Sequence, residues 1–477
     1  MASTPAEELL SDYPVEEGCF DEAFTADGSI RPQARAGLEA VVRAGAEALP
    51  ANVSRTLRRA GVRFSSVEGD MEFYVDPVPR VITAADWEPV KRGLAQRVRA
   101  LNAFVADVYG DQRIVAEGVV PPGVLQSADY FEPEMRGLRV PGNVWIGVAG
   151  LDLVRDADGS WLVLEDNVRT PSGFAYLLAT RRALLEHIDV PPDATPRPLD
   201  GEIDLLADTL RAVAPAAARG RRAPVATVLT DGEHNSAYWE HAWLSRQLGI
   251  PLCEPHELEV RSDGCLWLLP RGLREARRID VVYRRTNADR VDSDIARLLL
   301  PPVRAGKLGL VNQYGTGVAD DKLTHAYVED MIRFYVGEEP VLKSVPTYDL
   351  AQPGQLEEAL DVFDELVLKP RAGHGGVGVL IAPRSSREEI EATRKAVIAD
   401  PGAWIAQRMV MLSTHPTVVD GGRLAPRHID LRPFVFLGEG CNPRVLPGGL
   451  TRVARSEGAL VVNSSQNGGA TVTWVLP

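Results

Sequence analysis

Cysteine is scarce in this chain, and its residues are too dispersed to organise a fold. Four cysteines occur among 477 residues, and no Cys-x-x-Cys pair is present. This pattern excludes a dense disulfide framework and disfavours a cysteine-based zinc site. Long apolar runs are also missing, since none reaches the roughly 18 residues that a membrane helix requires. The first residues lack the basic and apolar regions of a signal peptide. We therefore expect a soluble, cytoplasmic protein with no membrane partner.

Basic residues are fewer than acidic ones, and only a small minority of the basic residues are lysines. The sequence carries 66 acidic and 52 basic side chains, a formal net charge of −14. This balance argues against a nucleic-acid partner, which requires a basic face. It says little about small anionic ligands, because local fields differ from the net charge. Arginine does not replace a compact ammonium beside a phosphate, so each retained lysine is a candidate for a specific role. The lysines are Lys91, Lys307, Lys322, Lys343, Lys369 and Lys395.

Alternating apolar patterns predict an α/β protein. The length corresponds to roughly two to four domains of about 100–200 residues each. Apolar residues at three- and four-residue steps predict a long helix over 85–110. Apolar strands at 224–229 and 279–283, with a helical segment at 236–248, predict a small layer of parallel strands.

A glycine-rich loop follows the apolar strand that carries Lys369. Its residues include Gly373, His374, Gly375, Gly376 and Gly378. Three of these glycines match Gly-x-Gly-x-x-Gly, but the β-branched run 377–381 follows instead of a helix, which disfavours a Rossmann dinucleotide site. A glycine loop between two strands suits a lid whose backbone N–H groups approach phosphate oxygens. Lys369 would then reach a phosphate beneath the lid, and His374 would touch a phosphate or solvent. The alternative is a surface hairpin with clustered turn glycines.

Two carboxylates and an amide are associated with a predicted β-hairpin, whose strands are 144–154 and 161–164. Asp152 lies on the first strand, and Glu165 and Asn167 lie at the end of the second. Side chains alternate along a strand, so Glu165 and Asn167 share one face. Asp152 on the facing strand can oppose that face. Two carboxylates and an amide oxygen are hard donors that suit Mg²⁺ with bound phosphates. The remaining acidic residues of this segment are assigned to turn formation and solvation: Asp156, Asp158 and Asp166.

The segment 233–241, after the strand 224–229, offers polar side chains to a substrate. Loops after the strands of an open α/β sheet gather ligands, which favours substrate contact from Asn235, Ser236, Glu240 and His241. The histidines of this segment do not have zinc-ligand spacing. Helix capping by Ser236 is the alternative.

In the order of its motifs the chain resembles the circularly permuted ATP-grasp family (type 2). Asp152 with Glu165-x-Asn167 is similar to the magnesium-binding end of ATP-grasp ligases, and the Lys369 strand with its lid is similar to their phosphate-binding middle. In ordinary ATP-grasp chains the metal-binding strands follow the lid, whereas here they precede it by about two hundred residues. Further segments resemble family signatures: 97–104, 164–173, 235–241, 315–322, 426–433, 447–453 and 462–466.

The resemblance implies roles for individual residues. Nucleotide-binding roles are implied for Lys322, Lys369, Gly373, His374, Gly375, Gly376, Gly378 and Gln407, the last in a hinge strand whose backbone meets the adenine. Magnesium-binding roles are implied for Asp152, Glu165 and Asn167. Catalytic roles, steadying the transferred phosphate and the acyl intermediate, are implied for Arg432 and Arg452. Arg169 and Ser172 are implied to lie on the substrate side, with Arg169 counted among the catalytic residues.

The implied fold is a mixed α/β, circularly permuted ATP-grasp with a Rossmann-like pre-ATP-grasp layer. Its expected parts are an N-terminal helical region (1–125), a metal-binding part (126–200), a substrate domain (201–315) and a nucleotide-binding part (316–477).

The implied activity is ligation of a carboxylate to an amine, small-molecule or peptide, with ATP and Mg²⁺. ATP phosphorylates the acid, and the amine displaces phosphate from the acyl phosphate. Two alternatives remain open: an ATP-dependent phosphotransferase, and a nucleotide-binding subunit with little turnover of its own. The resemblance also suggests a partner protein with an alpha-E domain or a transglutaminase-like fold.

Overall fold

The computed structural model of the chain describes residues 10, 12–66, 69–71, 73–199, 201–218, 223–269, 275–372, 378–460, 462 and 468–477. The described α-helices are α1 (Pro32–Arg43), α2 (Leu49–Arg59), α3 (Ala84–Val108), α4 (Arg113–Ala116), α5 (Pro122–Gln126), α6 (Phe174–Leu185), α7 (Ile203–Ala212), α8 (Tyr238–Leu248), α9 (Asp294–Arg304), α10 (Val328–Met331), α11 (Pro353–Asp361) and α12 (Arg387–Ala399). The described strands are β1 (Phe64–Ser66), β2 (Gly69–Met71), β3 (Arg80–Ile82), β4 (Val148–Arg155), β5 (Trp161–Asn167), β6 (Ala226–Thr230), β7 (Leu252–Cys253), β8 (Leu258–Val260), β9 (Leu266–Leu268), β10 (Arg277–Ile279), β11 (Val281–Arg285), β12 (Gly309–Val311), β13 (Lys343–Ser344), β14 (Thr347–Asp349), β15 (Leu366–Pro370), β16 (Leu380–Ile381), β17 (Trp404–Arg408), β18 (Thr414–Val418), β19 (Leu424–His428), β20 (Phe434–Leu437), β21 (Pro443–Val445), β22 (Leu450–Val453) and β23 (Gly469–Val475).

The predicted hairpin β4–β5 lies at the centre of a five-stranded sheet in the order β13-β5-β4-β20-β21. β4 is buried along its whole length, whereas on β5 the exposed fraction alternates over the last three residues, with Asp166 buried between Glu165 and Asn167. The sheet takes strands from near residues 150, 344 and 435. Distant parts of the chain therefore meet at the β4–β5 hairpin, which carries the predicted metal ligands.

The predicted parallel layer is confirmed. β12, β11, β6 and β7 form a four-stranded sheet in which each neighbouring pair is parallel. β6 and β11 are buried throughout, as expected for strands covered on both faces. The helix α8 crosses from β6 to β7 and ends at Gly249, whose φ of +64° allows the left-handed turn that terminates it.

A separate sheet in the order β14-β17-β15-β16, antiparallel throughout, contains β15, the strand that carries Lys369. Its apolar face packs with α11 and α12 into a cluster of its own, which includes Leu350, Phe363, Leu368 and Ala406. This cluster is distinct from the large core that joins most of the remaining chain. The lysine strand is therefore held by a small separate core.

The long helix predicted over 85–110 is α3, which spans Ala84–Val108. The Thr83 side chain accepts a hydrogen bond from Asp86 N at 3.1 Å and caps the helix. Just before it, β3 pairs in parallel with the C-terminal strand β23, so the predicted N-terminal helical region shares a sheet with the end of the chain. Among the described residues, no helix is both long enough and apolar enough to cross a bilayer.

Candidate functional site

Two lysines from distant segments face one carboxylate at the end of β5. Lys369 on β15 is buried, and its Nζ lies 3.6 Å from Glu165 Oε1. Lys322 Nζ donates to the Arg371 carbonyl oxygen at 3.1 Å. Burial lowers the pKa of Lys322, the Glu165 charge opposes this shift, and the Lys369 charge adds to it. Three charged groups from three parts of the sequence therefore share one electrostatic environment.

An arginine pair surrounds Asp152 beside these lysines. Arg432 binds its carboxylate through two bonds, Nε to Oδ1 at 2.6 Å and Nη2 to Oδ2 at 2.8 Å. Arg452 Nη2 reaches Oδ2 at 2.8 Å and also pairs with the buried Asp430. Burial alone would raise the pKa of Asp152, but the two guanidinium groups outweigh it and lower the pKa. Both arginines are therefore held rigidly at the wall of the site.

The predicted magnesium ligands fit a hard cation only in part. Asp152 lies opposite Glu165, and Gly150 opposite Asn167, in the register of β4 and β5. The Glu165 side chain is 41% exposed and so is accessible, while Asn167 Nδ2 is buried without a hydrogen-bond partner among the described residues. Asp152 is engaged by two arginines. The donor chemistry of Glu165 and Asn167 suits Mg²⁺, and Asp152 would have to share its oxygens to join them.

A polar cleft next to Lys322 is organised by Arg169. Its Nε donates to Asp320 Oδ2 at 2.9 Å, its Nη1 lies 3.3 Å from Asp289 Oδ2, and its guanidinium lies 4.0 Å from the centre of the Tyr130 ring. Asp320 also accepts from the Arg169 backbone N–H at 3.2 Å. The cleft is lined by Asp129, Tyr130, Arg169, Gly317, Asp320, Asp321, Lys322 and Arg371. Asp320 therefore fixes Arg169 through both its backbone N–H and its guanidinium.

The predicted lid lies largely outside the described residues, as do Gly373, His374, Gly375 and Gly376. The flanking strands β15 and β16 pair as a hairpin, and Gly378 has a φ of +75°. Gln407 lies on the interior strand β17, opposite Thr347 on one side and Val367 on the other. Its Nε2 donates to Thr347 Oγ1 at 2.9 Å, and its Oε1 is buried without a partner among the described residues.

Three of the predicted substrate residues around α8 are buried: Asn235, Glu240 and His241. Glu240 is buried and accepts from Gly173 N at 3.0 Å, Ala175 N at 2.9 Å and Arg285 Nη2 at 3.1 Å. Arg285 also donates to Ser172 Oγ at 2.5 Å. Glu240 therefore caps α6 and orders the loop that carries Ser172.

The other three residues of that segment differ in exposure. His241 is buried against Thr230 Oγ1 at 2.9 Å, and burial lowers its pKa to about 2. Asn235 is buried and accepts from Ala237 N at 3.0 Å. Ser236 is exposed and does not cap α8, so that alternative is wrong.

The assignment of Asp166 to solvation is wrong. Asp166 is buried, and Arg97 binds both its oxygens, through Nε at 2.6 Å and Nη2 at 2.7 Å. His325 Nδ1 lies 2.7 Å from Asp166 Oδ2. This buried group fixes the backbone between Glu165 and Asn167 from beneath. Sequence reasoning missed it because its partners are 69 and 159 positions away.

These features define an ATP-grasp protein: a buried lysine strand and a carboxylate–amide strand come together, with Lys369 Nζ 3.6 Å from Glu165 Oε1. Residues 79–454 match the family described as "Circularly permuted ATP-grasp type 2". The chain belongs to this family.

Relatives extend the comparison. The chain is 43% identical to a Frankia alni protein named "Putative glutamate--cysteine ligase 2-3", over 96% of this chain and 54% of that one. It is 40% identical to an uncharacterized protein of Synechocystis sp., over 96% of this chain and 97% of that one. The chain thus spans about half the length of the Frankia relative. The solved structure of a glutathione synthetase-like effector from Globodera pallida shares its fold, with a TM-score of 0.56 at 13% identity over 90% of this chain and 96% of that one.

Proposed function

We propose that this protein is an ATP-dependent ligase that joins a carboxylate to an amine through an acyl phosphate, with Mg²⁺. The observation that carries the proposal is the convergence of Lys322 and Lys369 on Glu165. Two ammonium groups suit nucleotide phosphates, and a neighbouring carboxylate suits the cation that accompanies them. The names of the Frankia relatives suggest glutamate and cysteine as the first acid and amine to test.

The residues of the site have distinct tasks in this proposal. Phosphoryl transfer needs positioning and charge neutralisation more than a protein nucleophile. Lys322 and Lys369 bind the phosphates, and Arg432 and Arg452 stabilise the charge that develops on the transferred group. Their ion pairs with Asp152 and Asp430 fix them before substrate arrives, so little reorganisation is needed. Arg169 orients the substrate carboxylate in the adjoining cleft.

Magnesium is assigned to Glu165 and Asn167, with Asp152 as a shared ligand. When bound, the ion would neutralise phosphate charge and orient the phosphates. Gln407 Oε1, which accepts no hydrogen bond from the part of the chain that the structure describes, suits an N–H donor such as the amino group of adenine, because a buried unsatisfied oxygen is costly.

The test follows an oxygen atom. The protein is incubated with ATP, Mg²⁺, cysteine and glutamate labelled with ¹⁸O in its carboxylates. An acyl-phosphate route transfers one labelled oxygen to inorganic phosphate and yields an amide and ADP, all detectable by mass spectrometry. Lys369→Ala should abolish all three products, whereas Lys395→Ala, on the exposed face of α12, should not.

The alternatives predict other products. A stable phosphorylated acid without amide would indicate a phosphotransferase. No ADP with any acid and amine pool would indicate a nucleotide-binding subunit. Because the Frankia relatives contain about as much chain again, a second protein supplied in trans belongs in the assay. An alpha-E domain or transglutaminase-like protein is the partner we propose.

A further inference from the structure

Glu16, Cys19 and His428 form a cluster that the proposed ligase reaction does not use. Their side-chain ligand atoms, a carboxylate oxygen, a thiol sulfur and an imidazole nitrogen, all lie within 4.8 Å of one another. The backbone explains why they meet. The N-terminal segment bridges to β18 at Asp21 and Thr414, and Thr414 is paired with His428 in β19.

His428 is oriented as a ligand. Its Nδ1 lies 2.9 Å from the Leu412 carbonyl oxygen. A carbonyl can only accept, so Nδ1 carries the proton and Nε2 is directed at the cluster. The residue is 1% exposed, and Nε2 is buried without a hydrogen-bond partner among the described residues. Metal-binding histidines commonly have this arrangement, in which a backbone carbonyl fixes the ring from behind.

The other two groups complete a mixed donor set of nitrogen, oxygen and sulfur. His428 Nε2 lies 3.7 Å from Glu16 Oε1, beyond hydrogen-bond distance. Tetrahedral Zn²⁺, with bonds of about 2.0–2.3 Å, places its ligands about 3.3–3.6 Å apart. The three ligand atoms, all within 4.8 Å of one another, must therefore move closer together for all three to bind one ion. The Glu16 side chain is 34% exposed, which leaves an entry path and a fourth position for water.

We infer that Glu16, Cys19 and His428 bind a divalent cation of borderline softness, with Zn²⁺ the best match. Thiolate, imidazole and carboxylate together suit Zn²⁺ better than Mg²⁺, which prefers oxygen ligands alone. The site is separate from the oxygen-donor set on β5. A cysteine-based zinc site was disfavoured by the spacing between cysteines, which says nothing about a single cysteine that meets distant ligands.

The experiment titrates Co²⁺ into the untagged, metal-free full chain. Co²⁺ replaces Zn²⁺ and gives a thiolate charge-transfer band in the near ultraviolet, which the oxygen ligands of the proposed magnesium site cannot produce. We expect one equivalent per chain with this band, and loss of the band when Zn²⁺ is added. Cys19→Ser should abolish the band. Glu16→Gln should weaken affinity at least about tenfold, since even partners outside the ligand shell contribute that much.

Cys441→Ser is the matched control, because Cys441 is also half-buried but contacts the Asn143 carbonyl instead. It should keep the band. Zn²⁺ should also raise the melting temperature of the wild type and of Cys441→Ser, but not of Cys19→Ser. A titration without any band, or a band that persists in Cys19→Ser, would overturn the inference and leave Glu16, Cys19 and His428 as neighbouring side chains that bind no metal. Neither result depends on the ligase reaction.

Discussion

Residue 369 is expected to work only as lysine. The side chain is 9% exposed and lies 3.6 Å from Glu165, so its surroundings leave little space. The planar guanidinium of arginine is larger and directs its donors differently from an ammonium. We expect Lys369→Arg to lower ATP turnover by about tenfold or more, on the scale of displaced positioning groups. Steady-state ADP release measures this effect.

Lys395→Arg is the control for that change, because Lys395 is exposed on α12 and should tolerate the exchange. Equal turnover in the two variants would remove Lys369 from the nucleotide site.

The buried pair of Arg97 and Asp166 should dominate the stability of β5. Both side chains are almost fully buried. Asp166→Asn leaves the Arg97 charge without its partner, and breaking a buried pair costs about 3–5 kcal/mol. Urea denaturation should show this loss, whereas Asp158→Asn, in the exposed hairpin turn, should stay within about 0.5 kcal/mol of wild type. Similar losses in both variants would show that the Asp166 pair has no special importance.

The alternation of side chains between the two faces of β5 could be predicted from the sequence, but the ion-pair partners of Asp166 could not. The period of two placed Glu165 and Asn167 on one face and Asp166 on the other, as observed. Which face was buried depended on Arg97 and His325. Spacing patterns report local geometry, so a counter-ion supplied by α3 left no signal within the hairpin sequence.

At the scale of elements, the turn at Thr316–Ala319 should be sensitive to a single methyl group. A Cβ on Gly317 would lie 2.4 Å from Tyr130 Cβ and 2.8 Å from Arg169 Cδ. Gly317→Ala must therefore displace the arginine that organises the cleft. A shift of about 1 Å can cost about a hundredfold in rate, which steady-state kinetics would show.

Gly354→Ala is the matched control for Gly317→Ala. A Cβ at Gly354 would meet nothing within 4 Å, and the residue lies in α11. This variant should keep full activity, and stability should hold or rise by up to about 1 kcal/mol because alanine favours helix. Full activity in a folded Gly317→Ala protein would show that the turn does not position Arg169.

The N-terminal segment should make the fold sensitive to acid through Glu22. Glu22 is buried against Arg80 and Arg155, with Arg155 Nη1 at 2.9 Å. Burial would raise its pKa, but the two arginines outweigh burial and lower the pKa from 4.5 to about 2. A lowered folded pKa gives stability that is present above pH 4.5 and is lost as the pH falls toward 2.

Glu22→Gln isolates this contribution. The variant should be less stable at neutral pH, and its unfolding free energy should fall less steeply than that of wild type between pH 4.5 and 2. Denaturant titrations across that range measure both slopes. Parallel slopes would mean that other carboxylates account for the acid sensitivity.

At the scale of the whole molecule, the order of motifs predicted the family, and local patterns predicted α3, the β4–β5 hairpin and the parallel sheet. The assembly of the sheets could not be predicted in this way. β4 and β5 join strands near residues 344 and 435, and β3 joins β23. These pairings depend on contacts hundreds of residues apart, which periodicity does not encode. The expected domain boundaries thus describe segments of sequence, while the sheets cross them.

Nucleotide binding should couple the sheet that carries Lys369 with the sheet that carries Glu165. Lys369 lies in the sheet β14-β17-β15-β16, which has its own small core. Glu165 lies in the five-stranded sheet that contains β4 and β5. A ligand held by both stabilises each side by mass action, by about 2.7 kcal/mol at a hundred times its dissociation constant. ATP with Mg²⁺ should therefore slow amide hydrogen exchange in both 161–167 and 366–370. Lys322→Ala should weaken the protection of both segments, since the Lys322 charge interacts with Glu165 in the first segment and with Lys369 in the second. Slowed exchange in one segment alone would show that the nucleotide does not bridge Lys369 and Glu165.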